Sequence, residues 1–346
     1  MIIFTDLVKM EISVKKNPED LVKEILENAP AVDVLAADGN AIRVKAGGRV
    51  YNILLLKLAA GYPGHVKKAI SESGKMADCY RLLLVPFMSD KTAGLCKEAG
   101  VGFCDTAVNC QMAFGPVYIS VSGKKNPKAQ SRASKSVFER SSIVSSRVLR
   151  TLVSQPGRSW KIEELAEAAD CSLGQIAKIK RFLEDNDWIG RIDKGFKLQK
   201  LEDMLSRWAE IYNARPNDVV ECYVPGNLAE IESRFEQIRK QAGLDYWLTG
   251  FSGGNRYSPT VRYSKIHVYV RESAVEKMLQ QLDGKQVESG ANLAFMIPYD
   301  DCVLIDSRTV KESSVVSPLQ AYLDCKPLKA RGEEMAEGVL RVMKTW

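Results

Sequence analysis

The sequence predicts a multidomain α/β (α+β) protein. Three observations carry this. The 346 residues exceed the ordinary span of one domain. Short β-branched runs alternate with amphipathic helical stretches at both ends of the chain. Between them lies a different pattern of three short helical stripes followed by an alternating hairpin. Hydrophobic residues make up 45% and charged residues 27%, the balance of a globular protein able to bury several cores. The expected organisation is 1–123 as an α/β domain, 124–140 as a basic linker, 141–202 as a helical module and 203–346 as a C-terminal α/β domain.

The first domain opens with PEDLVKEILENA, whose Leu21, Val22, Ile25 and Leu26 recur at helical spacing. Strand-like runs VDVLAA, AIRVKA and RVYNILLLKLA follow. A helix HVKKAISESG, a buried strand RLLLVPF and a helix SDKTAGLCKEAG come next, and strands within VGFCDTAVNCQMAFGPVYISVSG end the unit.

The middle segment holds the excess charge. Residues 124–200 carry 17 basic and 9 acidic residues, so the rest of the chain is slightly acidic and the formal net charge of +6 is fully accounted for. Within 124–158 there are nine bases and one acid, Glu139. Such a concentration suits a polyanion, because neutralising phosphates releases condensed counterions; a solvated Lys/Ser/Pro linker has the same composition. The pattern that follows favours the first reading. SSIVSSRVLRTLVS forms one apolar stripe, and Gln155-Pro156-Gly157 closes it. SWKIEELAEAAD forms a second helix with Ile162, Leu165 and Ala166 inward. Ser172 is a natural N-cap for SLGQIAKIKRFLED, in which Leu173, Ile176, Ile179 and Leu183 are expected inside. WIGRIDKGFKLQK alternates as a hairpin with Asp193-Lys194-Gly195 at its tip.

Three helices and a hairpin make a winged helix-turn-helix, whose third helix enters the DNA major groove by its N-terminal residues. Ser172, Gln175, Lys178, Lys180 and Arg181 are the expected contacts on that helix, and Arg191, Lys194 and Lys197 on the wing, with Lys200 next to them. Gln175 suits an adenine edge, and Lys178 or Arg181 suits guanine or phosphate. Arg147 and Arg150 add positive charge on the first helix, while Glu163, Glu164 and Glu167 gather the acids on the second. Winged helices also serve as protein-docking modules, which is the competing reading of the same pattern.

The C-terminal third is expected to hold a helix NLAEIESRFEQIRKQAG, a strand KIHVYV, a helix ESAVEKMLQQ and strands near NLAFMIP and CVLID. The Gly-rich stretch 250–254 suggests phosphate binding, but no P-loop or G-x-G-x-x-G is present. A tight turn packed in a core is the plainer reading. A nucleotidyltransferase would follow this turn with Asp-x-Asp, whereas here the strand reads Lys265-Ile266-His267. A helix begins at Ser317-Pro318 with Leu319, Tyr322 and Leu323, and another near Arg331-Gly332-Glu333-Glu334.

Several classes are disfavoured. The eight cysteines form no C-x-x-C, which removes zinc-ribbon and thioredoxin-like readings and fits a reducing cytosol. Two histidines, His65 and His267, lack any motif for a triad or a metal site. No stretch reaches the length of a membrane span and the N-terminus lacks a signal peptide's apolar core, so a cytoplasmic protein without a cofactor or metal is expected.

Two family resemblances follow from these residues. The element order of the first domain resembles the restriction-endonuclease-like fold, whose Asp and (Asp/Glu)-x-Lys hold Mg²⁺. Here the triplet falls at Leu55-Leu56-Lys57. Lys57 stands at the family's lysine position, and Leu55 replaces the acid, so the resemblance implies a catalytically silent, vestigial site; a lysine at a strand end is the plain alternative. The ending Gln320, Tyr322, Leu323, Asp324, Arg331, Gly332, Glu334, Ala336 and Glu337 resembles the AbiEi-type antitoxins of type IV toxin–antitoxin systems, as does CKEAGVGFCDTAVNCQMAFGPVYI. That likeness implies a transcriptional repressor acting on double-stranded DNA of its own operator, with a nucleotidyltransferase-like toxin as genetic partner. The helical module lies mid-chain, whereas better-known members carry it at the N-terminus. A homodimer is compatible with such regulators, although no heptad seam is visible. The rival reading is a divergent Mg-dependent nuclease or nucleotidyltransferase acting on nucleic acid.

Overall fold

The computed structural model describes residues 2–4, 18–74, 79–121, 137–192, 195–212, 218–329 and 331–345. It is mixed α/β and divides into two compact units, one of residues 1–134 and 184–187, the other of residues 135–183 and 188–346.

The first unit contains β1 (Ile2–Phe4), α1 (Pro18–Glu27), β2 (Val32–Asp38), β3 (Ala41–Ala46), β4 (Arg49–Lys57), α2 (Pro63–Ser73), β5 (Tyr80–Val85), α3 (Asp90–Glu98), β6 (Gly102–Asp105), β7 (Cys110–Phe114) and β8 (Val117–Val121). They form one sheet in the order β1-β8-β7-β6-β5-β4-β3-β2. Strands β2 to β4 are antiparallel, β4 to β6 parallel, β6 to β8 antiparallel, and β1 runs parallel to β8. Alternation along each strand serves both faces. Ile53, Leu55, Leu82 and Leu84 meet Leu21, Val22, Ile25 and Leu26 of α1. Leu83 and Val85 point the other way, to Val66 of α2 and Cys96 of α3. Ser89 caps α3 by accepting from the Thr92 amide.

The second unit begins with α4 (Ile143–Ser154), α5 (Ile162–Ala168), α6 (Leu173–Asp185) and the antiparallel pair β9 (Ile189–Ile192) and β10 (Gly195–Leu198). Trp160 adds a bridge to this pair, exchanging both backbone hydrogen bonds with Phe196 at 2.8 and 3.0 Å. A Cβ at Gly195 would stand 2.2 Å from the Trp160 carbonyl, so only glycine fits. After α7 (Leu201–Tyr212) come β11 (Asp218–Tyr223), α8 (Leu228–Ala242), β12 (Trp247–Thr249), α9 (Gly250–Tyr257), β13 (Ile266–Tyr269), α10 (Val275–Gln281), β14 (Lys285–Gln286), β15 (Leu293–Ile297), β16 (Arg308–Val310), β17 (Ser313–Val315), α11 (Pro318–Cys325) and α12 (Gly332–Met343). Among the described residues their strands form a seven-stranded mixed sheet, β14-β11-β15-β13-β12-β17-β16. Helix α8 carries a capping box, Asn227 with Glu230, and buries Ile231, Phe235 and Ile238 under one sheet face.

Three expectations change, and one element is new. CVLID is not a strand. Its first three residues, with Asp301, lie in a 3₁₀ turn, because the Asp300 carboxylate accepts from the Cys302 amide at 2.8 Å and turns the chain. Leu173 is not inside but 53% exposed, since the apolar face of α6 begins one turn later at Ile176. The stretch after Lys200 is a helix, α7, whose Met204, Leu205, Trp208, Ala209 and Tyr212 are all buried. Of the 124–140 segment, residues 137–140 are described, and there Phe138 is no linker residue. It is 1% exposed, stacked on Trp208 with ring centroids 5.7 Å apart, and edge-on to Phe182 at 5.6 Å.

One core therefore runs from Phe138 through α4–α7 into α11 and α12, joining Leu149, Trp160, Ile176 and Trp208 to Leu319, Leu323, Met335 and Val339. No break in the core falls at 202/203, where the sequence suggests a boundary. Replacing Phe138 with Ala removes an aromatic plug that three neighbouring rings enclose. It should lower unfolding free energy by about 3–5 kcal/mol, read as a reduced urea midpoint; an unchanged midpoint would place Phe138 outside the core.

Candidate nucleic-acid interface

Helix α6 owes its position to Ile176, Ile179 and Leu183, all buried against α4 and α5. Ser172 ends the preceding turn, and its hydroxyl lies 3.4 Å from the Gln175 amide, a weak N-cap contact. Ser172, Leu173, Gly174, Gln175, Ala177, Lys178 and Arg181 are left exposed. That surface carries two bases and no acid. Lys180 differs, being half-buried with its ammonium 5.6 Å from the centre of the Phe196 ring. On the hairpin Arg191 is exposed and Lys197 half-buried, as is Lys200 next to it. Lys194, at the expected tip, lies outside the described residues.

Two arginines counted with the basic surface point elsewhere. Arg150 is 2% exposed, and its guanidinium cannot reach a phosphate. Arg140 lies over the Tyr212 and Tyr299 rings, 4.4 and 5.4 Å from their centres. Arg147 is accessible and sits 3.7 Å from Asp170. The acids of α5 share their side of the module with bases, Glu164 lying 3.9 Å from both Arg158 and Lys161. Among the described residues of this module, the acid-free exposed surface is that of α6.

Arg150 instead begins a buried polar relay. Its Nη2 donates to Gln320 Oε1 at 2.6 Å, and its Nε donates to the Ser146 hydroxyl at 3.1 Å. Gln320 Nε2 donates to Asp324 Oδ1 at 2.8 Å and lies 3.1 and 3.2 Å from the Tyr212 and Tyr269 hydroxyls. Asp324 also accepts from Thr249 at 2.7 Å and from Tyr269 at 3.2 Å. Burial pushes the Asp324 carboxyl up, and the bonds from Gln320, Thr249 and Tyr269 pull it back. The amide of Gln320 can serve both neighbours because it accepts on one side and donates on the other. Gln320 and Asp324 are the first and last residues of the Q-x-Y-L-D ending, so this part of the motif seats α4 on α11. Sequence reasoning missed the relay because Arg150 lies 170 residues from its partner.

The Gly-rich stretch forms the first turn of α9 and is packed. A Cβ at Gly253 would fall 2.6 Å from the Leu248 carbonyl, and one at Gly254 would fall 2.7 Å from Met335. The Ser252 hydroxyl donates to the His267 carbonyl at 2.8 Å and accepts from its amide at 2.9 Å, fixing α9 to β13. His267 lies against Phe251, and its Nδ1 is buried without a partner. Burial, and then the charge of Lys265, bring its value down to about 4. The glycines thus serve close helix–strand approach.

In the first unit Leu55 is 2% exposed in the core under α1, and Lys57 forms an ion pair with Glu19 of that helix. An acid at position 55 would be buried in apolar surroundings. Asp105, fully buried, is taken up by the amides of Met88, Ala107 and Asn109 and by the Asn109 side chain. Among the described residues no group of three His, Cys, Asp or Glu side chains could hold a metal ion. No helix there is long and apolar enough to cross a membrane.

Residues 197–343 match a family model described as transcriptional regulator, AbiEi antitoxin, type IV TA system. The match starts in β10 and takes in α7, the seven-stranded sheet, α11 and α12, together with Gln320 and Asp324. It leaves out α4–α6 and the first unit, including CKEAGVGFCDTAVNCQMAFGPVYI. No curated protein and no solved structure matches the chain.

Arg150→Ala should destabilise the second unit by about 3–5 kcal/mol, because Gln320 and Asp324 would lose a buried partner. Gln320→Leu should do likewise, and in a double-mutant cycle of urea melts the two losses should be strongly non-additive; additive losses would mean the relay carries no coupling. The depressed His267 value has its own signature. Between about pH 6.5 and 4 the unfolded chain takes up a proton that the folded chain refuses, so stability is full above this window and falls as pH drops through it. The loss amounts to at most about 3 kcal/mol. His267→Gln should flatten unfolding free energy against pH in that window, and an unchanged slope would contradict the assignment.

Proposed function

We propose that the chain is a sequence-specific DNA-binding transcriptional regulator, the autorepressing antitoxin of a type IV toxin–antitoxin system. The observation that carries this is the exposed face of α6 from Ser172 to Arg181, basic and free of acids, presented by three helices and a two-stranded hairpin. The arrangement supports a winged helix-turn-helix, with α6 as reading helix and β9–β10 as wing. The match of residues 197–343 to a family of transcriptional regulators supports the same reading from an independent part of the chain.

In this reading Ser172 and Gln175 meet the groove at the leading end of α6, and Lys178 and Arg181 meet bases or phosphates further along. Arg191, Lys194 and Lys197 reach flanking phosphates from the wing. Lys180, held over Phe196, contributes mainly to the local potential. The operator is double-stranded DNA upstream of the gene. A nucleotidyltransferase-like toxin encoded nearby is the genetic partner, and the protein works in the cytoplasm without a cofactor. The first unit is a degenerate endonuclease-like domain. Its order of one helix, three antiparallel strands, a helix and a parallel strand supports that resemblance, and Leu55 packed under α1 argues for a silent site. The enzymatic alternative would need Mg²⁺-dependent cleavage or nucleotide transfer by the purified protein, lost on Lys57→Ala.

Reversing charge at Lys178 and Arg181 together should abolish the gel shift of upstream DNA at physiological salt while leaving thermal unfolding unchanged, because both side chains are exposed. Wild-type affinity should fall linearly in a log–log plot against salt, with a slope of about −0.9 per phosphate contacted. Unchanged affinity in the double variant would refute the assignment of α6, and salt-independent binding would favour a protein-docking role for the module.

A further inference from the structure

The outward surface of α6 has two rows. Lys178 and Arg181, three residues apart, form the basic row. Leu173 and Ala177, four residues apart and therefore on one face, form an apolar row beside it. Leu173 is 53% exposed and lies in the first turn, where side chains lean toward the N-terminus and project past the helix end. Gly174 would meet nothing within 4 Å if it carried a Cβ, so the backbone between the rows is open to close approach. No acidic residue occurs between Ser172 and Leu183. An exposed leucine in the first turn of a helix that carries exposed bases further along is complementary to a surface that offers a methyl group amid phosphate charge. In the DNA major groove that surface is thymine, the base whose edge carries a methyl.

We propose that Leu173, seconded by Ala177, reads the 5-methyl group of thymine and so determines part of the protein's sequence preference. This rests on the DNA-binding reading of α6. Leu173 replaces water around both the methyl and itself on docking, while the Lys178–Arg181 row holds the backbone in register. The residue is a specificity determinant with little influence on stability.

Upstream DNA prepared by PCR with dTTP, or with dUTP so that every thymine methyl is missing, provides the test. Wild-type protein should bind the methyl-free duplex at least about fourfold more weakly, the worth of one buried methyl. Leu173→Ala should bind the thymine duplex with a similar loss and should discriminate between the two duplexes far less. Its thermal unfolding should match wild type, and Leu173→Gln should behave in the same way. If wild type binds both duplexes equally, or if Leu173→Ala keeps the full discrimination, the inference is overturned while salt-dependent binding leaves the DNA reading in place. Absence of salt-dependent affinity for either duplex overturns the DNA reading itself. Discrimination unchanged in Leu173→Ala, together with a changed molecular mass in solution, would assign the leucine to a contact between copies of the chain.

Discussion

The buried bond from Arg150 to Gln320, and onward to Asp324, is the constraint on which the second unit depends. A guanidinium without solvent is costly and has to be held by hydrogen bonds. Here the Gln320 amide links the Arg150 guanidinium to the Asp324 carboxyl. Tyr212, Tyr269, Thr249 and Ser146 take up further polar atoms of the set, while Arg150 Nη1 is buried without a hydrogen bond. The relay contributes directional fit. An apolar replacement of the set would pack α4 against α11 in several registers, whereas the amide accepts only one. The orientation of α6 follows, because α6 shares its core with α4.

This arrangement also redistributes the charge of the chain. The nine bases of residues 124–158 read as a uniform electrostatic footprint, but the structure takes Arg150 and Arg140 inside and pairs Arg147 and Arg158 with acids. Among the described residues of this module, Lys178 and Arg181 of α6 and Arg191 of the hairpin are exposed.

Much of the fold was legible because it rests on local periodicity. Strands β2 to β8, helices α4 to α6 and α8, and the hairpin follow from alternating or helical apolar spacing. CVLID failed because a four-residue apolar run has no intrinsic choice between strand and turn, and Asp300 decided it. Leu173 failed because a periodic count cannot tell the last core position from the first solvent one. Arg150 failed for a deeper reason: in sequence a buried arginine looks like any other base, and only a partner 170 residues away reveals it. The Q-x-Y-L-D ending was visible as a pattern, but Gln320 and Asp324 acquire physical meaning only when they meet Arg150, Tyr212 and Tyr269. For the candidate interface, residue types and spacing named a helix face that the structure leaves exposed, while exposure sorted Lys178 and Arg181 from Lys180.

The central claim is that α6 and the C-terminal sheet are one mechanical body, tied by the relay and by the Phe138–Trp208 core. Native-state hydrogen exchange tests it most directly. If the claim holds, core amides of α6 and of α11 open with the same free energy and the same dependence on denaturant, as parts of one cooperative transition. If α4–α6 exchange through a separate opening of much lower free energy while α11 stays protected, the module is an independent domain and the account is wrong.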